Sequence, residues 1–356
     1  MSPGAPAPKP ETDVQRFCST KEAAMEKISK TRRKLLALSA AGLFGAISGI
    51  GPQARARPDT PYPSRAVKVV IPYLAGGPND ITTRILTQNL SAQWGTPVIV
   101  ENRPGANGTI GTMAVKNAPP DGYTLLSGAT FLVLNPLIEP QPQFKIQDFV
   151  PIGSFGTPPN LIVVANDSPW TSLEALVAAG QANPGSLRTP HAGIGSSVHL
   201  GISLFLKTAN IQALVVPYKG SPPYVIDLLG GRLDFAYLSA QLALPQIQAG
   251  KLRALATVSD HRLADLPAIR TLAEIGYPGG VVLPWSGLFA LAEVPGDIVD
   301  RIRRDIGKAL ADPTVAQQYR NIYAEIPADP AALPQLVSAE QQRWQKVVQD
   351  RLIDDL

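Results

Sequence analysis

Between residues 66 and 259 the chain alternates two hydrophobic rhythms. Short runs rich in Val, Ile and Leu, such as "AVKVVI" (66–71) and "PVIVEN" (97–102), read as buried strands. Longer segments with apolar residues three or four apart, such as "DITTRILTQNL", where Ile81, Ile85, Leu86 and Leu90 share a face, read as helices. The pattern predicts strand 66–71, helix 80–93, strand 97–102, helix 109–118 and strand 123–129. A proline-rich surface connection over 135–144 leads to two strands in "FVPIGSFG" and "NLIVVAN" and to a helix over 172–182. A second alternation follows: strand 187–191, helix 197–208, strand 213–218, helix 222–229, strand 233–238, a helix ending at Gly250, and strand 252–259. "WSGLFAL" (285–291) reads as a late strand returning to the first unit, and helices over 295–310 and 331–354 close the chain. Strands alternating with helices predict parallel sheets flanked by helices, and two such series predict two lobes of an α/β fold.

The first 56 residues differ from the rest. "TRRKLLALSAAGLFGAISGIGPQARA" (31–56) has a basic start, a modestly apolar middle and a small-x-small ending at Ala54-Arg55-Ala56, the layout of an export signal. Arg32-Arg33 suits a twin-arginine signal, and the general secretion route stays open because Leu35 stands where phenylalanine is usual. Glycines and Pro52 interrupt the apolar run, which is short for a membrane span. Met25 begins a better-formed signal than Met1 does. The expected mature chain starts near Arg57 and lies in the periplasm.

Removing that segment changes the charge. It holds nine Lys/Arg and four Asp/Glu, so the remainder keeps 23 basic and 24 acidic residues, and the overall +4 becomes about −1. A nucleic-acid partner therefore lacks its electrostatic basis. The single cysteine, Cys18, lies upstream of the signal core, which excludes a disulfide or a thiol nucleophile from the mature protein.

Ligands of open α/β sheets sit beyond the carboxyl ends of strands. Four loops occupy such places: 72–80 ("PYLAGGPND"), 127–131 ("SGATF"), 191–199 ("HAGIGSSVH") and 217–222 ("PYKGSP"). They offer backbone N–H groups and hydroxyls that can hold a carboxylate without a dedicated cation. Gly76 and Gly77 permit a left-handed turn or close approach of a ligand, and Asn79 or Asp80 can cap the following helix. Ser196 and Ser197 serve equally well as N-caps or as ligand donors. His191 stands at a strand end, His199 and His261 lack metal spacing, and Lys219 is the one cation in these loops. No GxSxG elbow, metal motif or phosphate loop is present, so an enzyme is not expected and no cofactor is implied.

The order of these motifs resembles the substrate-binding proteins of tripartite tricarboxylate transporters, the Bug family. The likeness runs from "YPSRAVKVVIPYLAGGPNDITTRILTQNLSAQWGTPVIVENRPGANGTIGTMAVKNAPPDGYTLL" through "GSSVHLG", "VPYKGSPPYVIDLLGGRLDFA", "IQAGKLRALA" and "WSGLFA". It implies a two-lobed class II periplasmic binding protein, a monomer, that closes on a small organic acid and delivers it to membrane permease subunits. A sensory receptor feeding a sensor kinase is the alternative. Residues 62–163 with 283–356 are expected to form lobe one and 164–282 lobe two. The expected ligand-binding set is Tyr73, Leu74, Gly76, Gly77, Asp80, Gly128, Ala129, Thr130, His191, Gly193, Ser196, Ser197, His199, Tyr218, Lys219, Tyr237 and Leu238. Two positions depart from the family pattern: His191 replaces a small polar entry to the "GSS" loop, and Leu238 stands where many members carry an aspartate. An organic acid without an amine follows, packed on Tyr73, Tyr237 and Leu238, with His191 meeting a second polar end.

Overall fold

A computed structural model describes residues 61–353. The export signal, its cleavage point and Cys18 lie outside them.

Two sheets organise the chain. The first has the order β2 (Val98–Asn102), β1 (Val67–Ile71), β3 (Thr124–Gly128), β10 (Gly287–Leu291), β4 (Phe149–Ser154). Strands β2, β1 and β3 run parallel, while β10 is antiparallel to both neighbours. In the second, β5 (Asn160–Ala165) lies antiparallel between β8 (Ala236–Ser239) and β9 (Leu252–Val258). The parallel pair β6 (Leu187–His191) and β7 (Ala213–Pro217) continues it, because the Arg188 carbonyl accepts from the N–H groups of Asp234 and Phe235, just ahead of β8. Each sheet thus holds a strand, antiparallel to both its neighbours, that has just arrived from the other sheet: β10 in one, β5 in the other.

Helices cover both sheets: α1 (Pro78–Trp94), α2 (Thr109–Lys116), α3 (Thr130–Ile138), α4 (Leu173–Ala182), α5 (Ser197–Thr208), α6 (Ser221–Leu229), α7 (Ala240–Gln248), α8 (Gly296–Ala311), α9 (Pro313–Asn321) and α10 (Leu333–Gln349). The apolar spacing read in the sequence sets their buried faces. Leu86 and Leu90 of α1 are fully buried against the first sheet, each contributing about 1.5–3 kcal/mol, and Val299, Ile302 and Ile306 do the same from α8. In β5 the side chains alternate between two cores, Leu161 and Val163 in one, Ile162 and Val164 in the other. That is why its sequence is continuously apolar.

Several elements differ from the sequence reading: β8 begins at Ala236 and not at 233, and α10 ends at Gln349 and not at 354. Helix α1 begins at Pro78, earlier than residue 80, with Gly77 as its N-cap; proline suits the first helical position because its missing N–H would have no partner there. Residues 130–138 are a helix although Pro136 lies in it, so the proline-rich connection starts later than 135. Pro136 has no N–H to return to the Leu132 carbonyl, so the helix gives up one bond shortly before it ends at Ile138. Helix α9 was missed because its pattern is short and mostly polar.

Candidate functional site

Five helices start at one cleft. Helices α1, α3, α5, α6 and α7 follow β1, β3, β6, β7 and β8, and the first-turn or capping residues Asn79, Thr130, Ser197, Ser221 and Ser239 all line a space of about 690 Å³. Each N-terminus presents unpaired N–H groups and about half a positive charge. Prolines 222 and 223 leave α6 fewer free N–H groups than the others. Among the described residues no Asp, Glu, Lys, Arg or His lines this space. Its positive character comes entirely from backbone.

The turn between β1 and α1 is built by Asp80. Its carboxylate accepts from the Gly76 N–H at 2.9 Å, from Arg84 Nε at 3.0 Å and from Asn102 Nδ2 at 2.8 Å. Burial opposes its charge, but the bonds from Arg84, Gly76 and Asn102 outweigh burial and hold its pKa below the ordinary carboxylate range. Gly76 takes φ +83°, which a side chain would strain, whereas Gly77 keeps an ordinary φ of −79° and borders the cleft. Asp80 itself is buried behind the turn and does not reach the cleft.

A chain of neutral groups crosses the back of the cleft. Ser127 Oγ donates to Asn79 Oδ1 at 2.9 Å, Asn79 Nδ2 donates to Ser286 Oγ at 2.9 Å, and Ser286 and Thr157 share one hydroxyl bond at 2.9 Å. Two hydroxyls joined by one bond leave one hydrogen free to donate elsewhere. Beside them, Asn160 Nδ2 and Ser239 Oγ are buried without a hydrogen-bond partner among the described residues, and these two residues face each other across the β5–β8 ladder and line the cleft. Each such group costs about 1–3 kcal/mol until it is satisfied. An anion's oxygens would satisfy both.

The apolar wall consists mainly of Tyr73, Leu74, Pro158, Val198, Pro284 and Trp285. Burial pushes the Tyr73 phenol far above its ordinary range, so it stays neutral. Trp285 is 7% exposed, and its Nε1–H donates to Glu340 Oε2 at 3.1 Å.

A family model described as a tripartite tricarboxylate transporter family receptor matches residues 82–353. The chain belongs to this family. It is 35% identical over 317 residues to Protein BugT of Bordetella pertussis, covering 88% of this chain and 96% of that one. Among solved structures it is similar to MatC of Rhodopseudomonas palustris with bound malate, at TM-score 0.75 and 29% identity over 81% of this chain and all of the other. It is likewise similar to R. palustris Rpa4515 with adipate, at TM-score 0.77 and 30% identity over 81% of this chain and 98% of that one. The fold is that of the two-lobed periplasmic binding proteins, and the chain is a solute-binding receptor of the tripartite tricarboxylate type, not an enzyme. Among the described residues no helix is long and apolar enough to cross a membrane.

Within this receptor the residues named from sequence divide into three groups. Tyr73, Leu74, Gly77, Ala129, Thr130, Ser196 and Ser197 line the cleft. Gly193, Tyr218 and Lys219 line an adjoining space that shares Tyr73 and Leu74 with it. Of the rest, Gly76 is exposed on the turn, and Asp80, Gly128, His191, His199, Tyr237 and Leu238 are buried behind these surfaces. A Cβ at Gly128 would meet Phe289 at 2.6 Å, so that glycine serves packing. His191 Nδ1 accepts from the Gly193 N–H and His199 Nδ1 from the Gly195 N–H, with the rings 4.6 Å apart, so both histidines shape the loop and line neither space.

Tyr237 and Leu238 do not line the cleft. Both are fully buried, Tyr237 in the core under α5 and Leu238 in the core under α6 and α7. Strand β8 is covered on both faces, and only its last residue, Ser239, reaches the opening. Ser196 is an N-cap: its Oγ accepts from the His199 N–H and donates to the Gly193 carbonyl at 2.7 Å, so its hydrogen is engaged in the loop. Missed by the sequence reading were Asn79, Thr157, Asn160, Ser239, Trp285 and Ser286. A uniform search of strand ends would have found Ser239. Thr157 and Ser286 lie on the segments joining the sheets, for which no local pattern signals a ligand.

Proposed function

We propose that this chain is the periplasmic receptor of a tripartite tricarboxylate-type transporter, capturing a small organic acid and handing it to membrane permease subunits. One observation carries the reading: five helix N-termini converge on a cleft in which the Asn160 amide and the Ser239 hydroxyl have no partner and no cation stands. A carboxylate meets every unpaired donor at once. The malate and adipate held by the two similar structures support the same ligand chemistry. An ammonium group would find no carboxylate along the wall, so an acid without an amine fits best.

The lobes are joined by 155–159, between β4 and β5, and by 282–286, between β9 and β10. On this reading the lobes, expected to divide at 163/164 and 282/283, divide at these two segments, both of which contribute to the cleft through Thr157 and Ser286. Rotation about two short connecting segments closes the cleft with few backbone changes. An export signal over 31–56 and a mature start near Arg57 complete the reading, which N-terminal sequencing of periplasmic extract checks.

A thermal-shift screen of mono- and dicarboxylates tests the function. A ligand at 100 times its Kd adds about 2.7 kcal/mol to stability. Failure of every carboxylate to stabilise the protein would reject the reading. Genes for two membrane permease subunits beside this one would favour transport over sensing.

A further inference from the structure

Resting on the receptor reading and its two lobes, we infer that Asn135 opposes closure: lobe two covers the side-chain oxygen of Asn135 and gives it no donor, so the ligand-free receptor is biased open. Three glycines of lobe two meet lobe one beside the cleft. A side chain at Gly195 would stand 3.0 Å from Asn135 Oδ1 and 3.3 Å from Leu134 Cδ2, one at Gly193 would stand 3.9 Å from Asn107 Oδ1, and one at Gly220 3.8 Å from Leu74 Cβ. This is the arrangement that closure produces.

Asn135 is 1% exposed, and its Oδ1 has no hydrogen-bond partner among the described residues. The Gly195 N–H does not serve it, because that group donates to His199 Nδ1 at 3.3 Å. The other end of the amide is engaged: Asn135 Nδ2 donates to the Asn107 carbonyl at 2.8 Å. That bond ties down a turn in which Ala106 and Asn107 take φ of +45° and +50°, uncommon for residues with side chains. An amide suits the tie, and it brings an acceptor with it.

The two ends of the amide respond differently to closure. Asn107 and Asn135 both belong to lobe one, so the tie between them is the same whether the lobes are together or apart. The Oδ1 acceptor reaches water once Gly195 withdraws, and closure removes that water without a replacement. Asn135 lines neither the cleft nor the adjoining space, so a bound acid does not touch it. It acts on affinity only through the balance of open and closed forms, as a positioning residue. A buried acceptor left without a donor weighs against the closed form by about tenfold, and a receptor that is mostly open without ligand shows that factor in its apparent affinity.

The test titrates the full chain and its variants with malate and adipate by calorimetry, with urea denaturation alongside and with a fluorophore pair, one on each lobe, reporting the closed fraction without ligand. Asn135→Ala removes the acceptor from the closed form and the tie from both forms. It should bind acid about three- to tenfold more tightly while being less stable to urea. Asn135→Ser, whose hydroxyl can bond the carbonyl four residues back, carries the same expectation and serves if the alanine variant does not fold. Asn135→Asp keeps the shape but makes the covered group a carboxylate, and should bind more weakly. A merely structural Asn135 would lose stability on substitution without gaining affinity. Unchanged or weaker binding by the alanine or serine variant overturns the inference and leaves the receptor reading standing. If neither acid binds the wild type, the ligand-free closed fraction decides: a rise on substitution by alanine or serine supports the inference, and no rise overturns it. Rejection of the receptor reading takes the wider carboxylate screen.

Discussion

Replacing Asp80 with asparagine should loosen the turn that forms one wall of the cleft. Asp80 is 3% exposed and receives three donors: the Gly76 amide, Arg84 and Asn102. Asparagine turns one acceptor oxygen into an NH2 group, so either Gly76 or Asn102 faces a donor. A lost hydrogen bond to a buried charged group costs about 1.5–3 kcal/mol. The Arg84 side chain is 47% exposed, so losing its ion pair adds at most about 1 kcal/mol. The expected destabilisation is about 2–4 kcal/mol by urea denaturation. Carboxylate affinity should fall about tenfold, because binding must then order residues 74–79 at a cost near one peptide unit. The pH dependence gives a second check. A carboxyl whose pKa is depressed in the folded state stabilises fully above its unfolded value near 3.9, and the contribution is lost as pH falls through the folded value. The difference between the wild type and Asp80→Asn should stay constant from pH 8 to about pH 5.5 and shrink below about pH 4. A loss under about 0.5 kcal/mol, or a difference that grows in acid, would refute this account of the turn.

Other substitutions separate ligand contact from scaffolding. Ser239→Ala should raise stability slightly, since it removes a buried hydroxyl without a partner, while weakening carboxylate binding about tenfold in calorimetry. Ser196→Ala should instead cost about 1 kcal/mol of stability as a lost helix cap, read by chemical denaturation, with a smaller effect on affinity. Gly156→Ala should destabilise strongly in thermal melts, because Gly156 has φ +78° and an added Cβ would lie 1.9 Å from the Glu325 carbonyl oxygen. His261 is bound by Asp260 and faces Glu325 at 3.0 Å, and both carboxylates raise its pKa. Its contribution is full below the ordinary imidazole value near 6.5 and is lost as pH rises through the raised one, so His261→Gln should lower the melting temperature slightly at pH 5.5 and leave it unchanged at pH 9.

The fold was largely legible because it rests on local signals that agree with one another. The apolar runs of β1 and β5 and the spacing of Leu86 and Leu90 in α1 each imply an element, and the alternation of elements implies the sheets. Composition misled at residues 135–138, where a proline in a final helical turn looked like a connection. Short polar α9 gave no rhythm to read; its helical start comes from Asp312, whose side chain accepts from the Thr314 N–H.

The site was legible where one rule was kept and lost where it was relaxed. The loops after β1, β3, β6 and β7 were searched beyond the strand ends, and each supplies residues to the cleft or to its adjoining space. For β8 the search stayed inside the strand and settled on Tyr237 and Leu238. A strand covered on both faces sends successive side chains into opposite cores, so neither could reach a ligand. Ser239, one residue on, stands at the strand end and caps α7 without using its hydroxyl. The same geometry explains Asn160 at the entry of β5. An antiparallel strand inserted among parallel ones brings its amino end to the carboxyl ends of its neighbours, so the first residue of β5, not its last, lines the cleft. By the same argument the segment just before β10, with Trp285 and Ser286, faces the cleft from the first lobe. The antiparallel strand in each sheet is therefore both the arrival point of a connecting segment and a source of cleft residues, so in the proposed closing motion the segments that turn are the ones that touch the cleft.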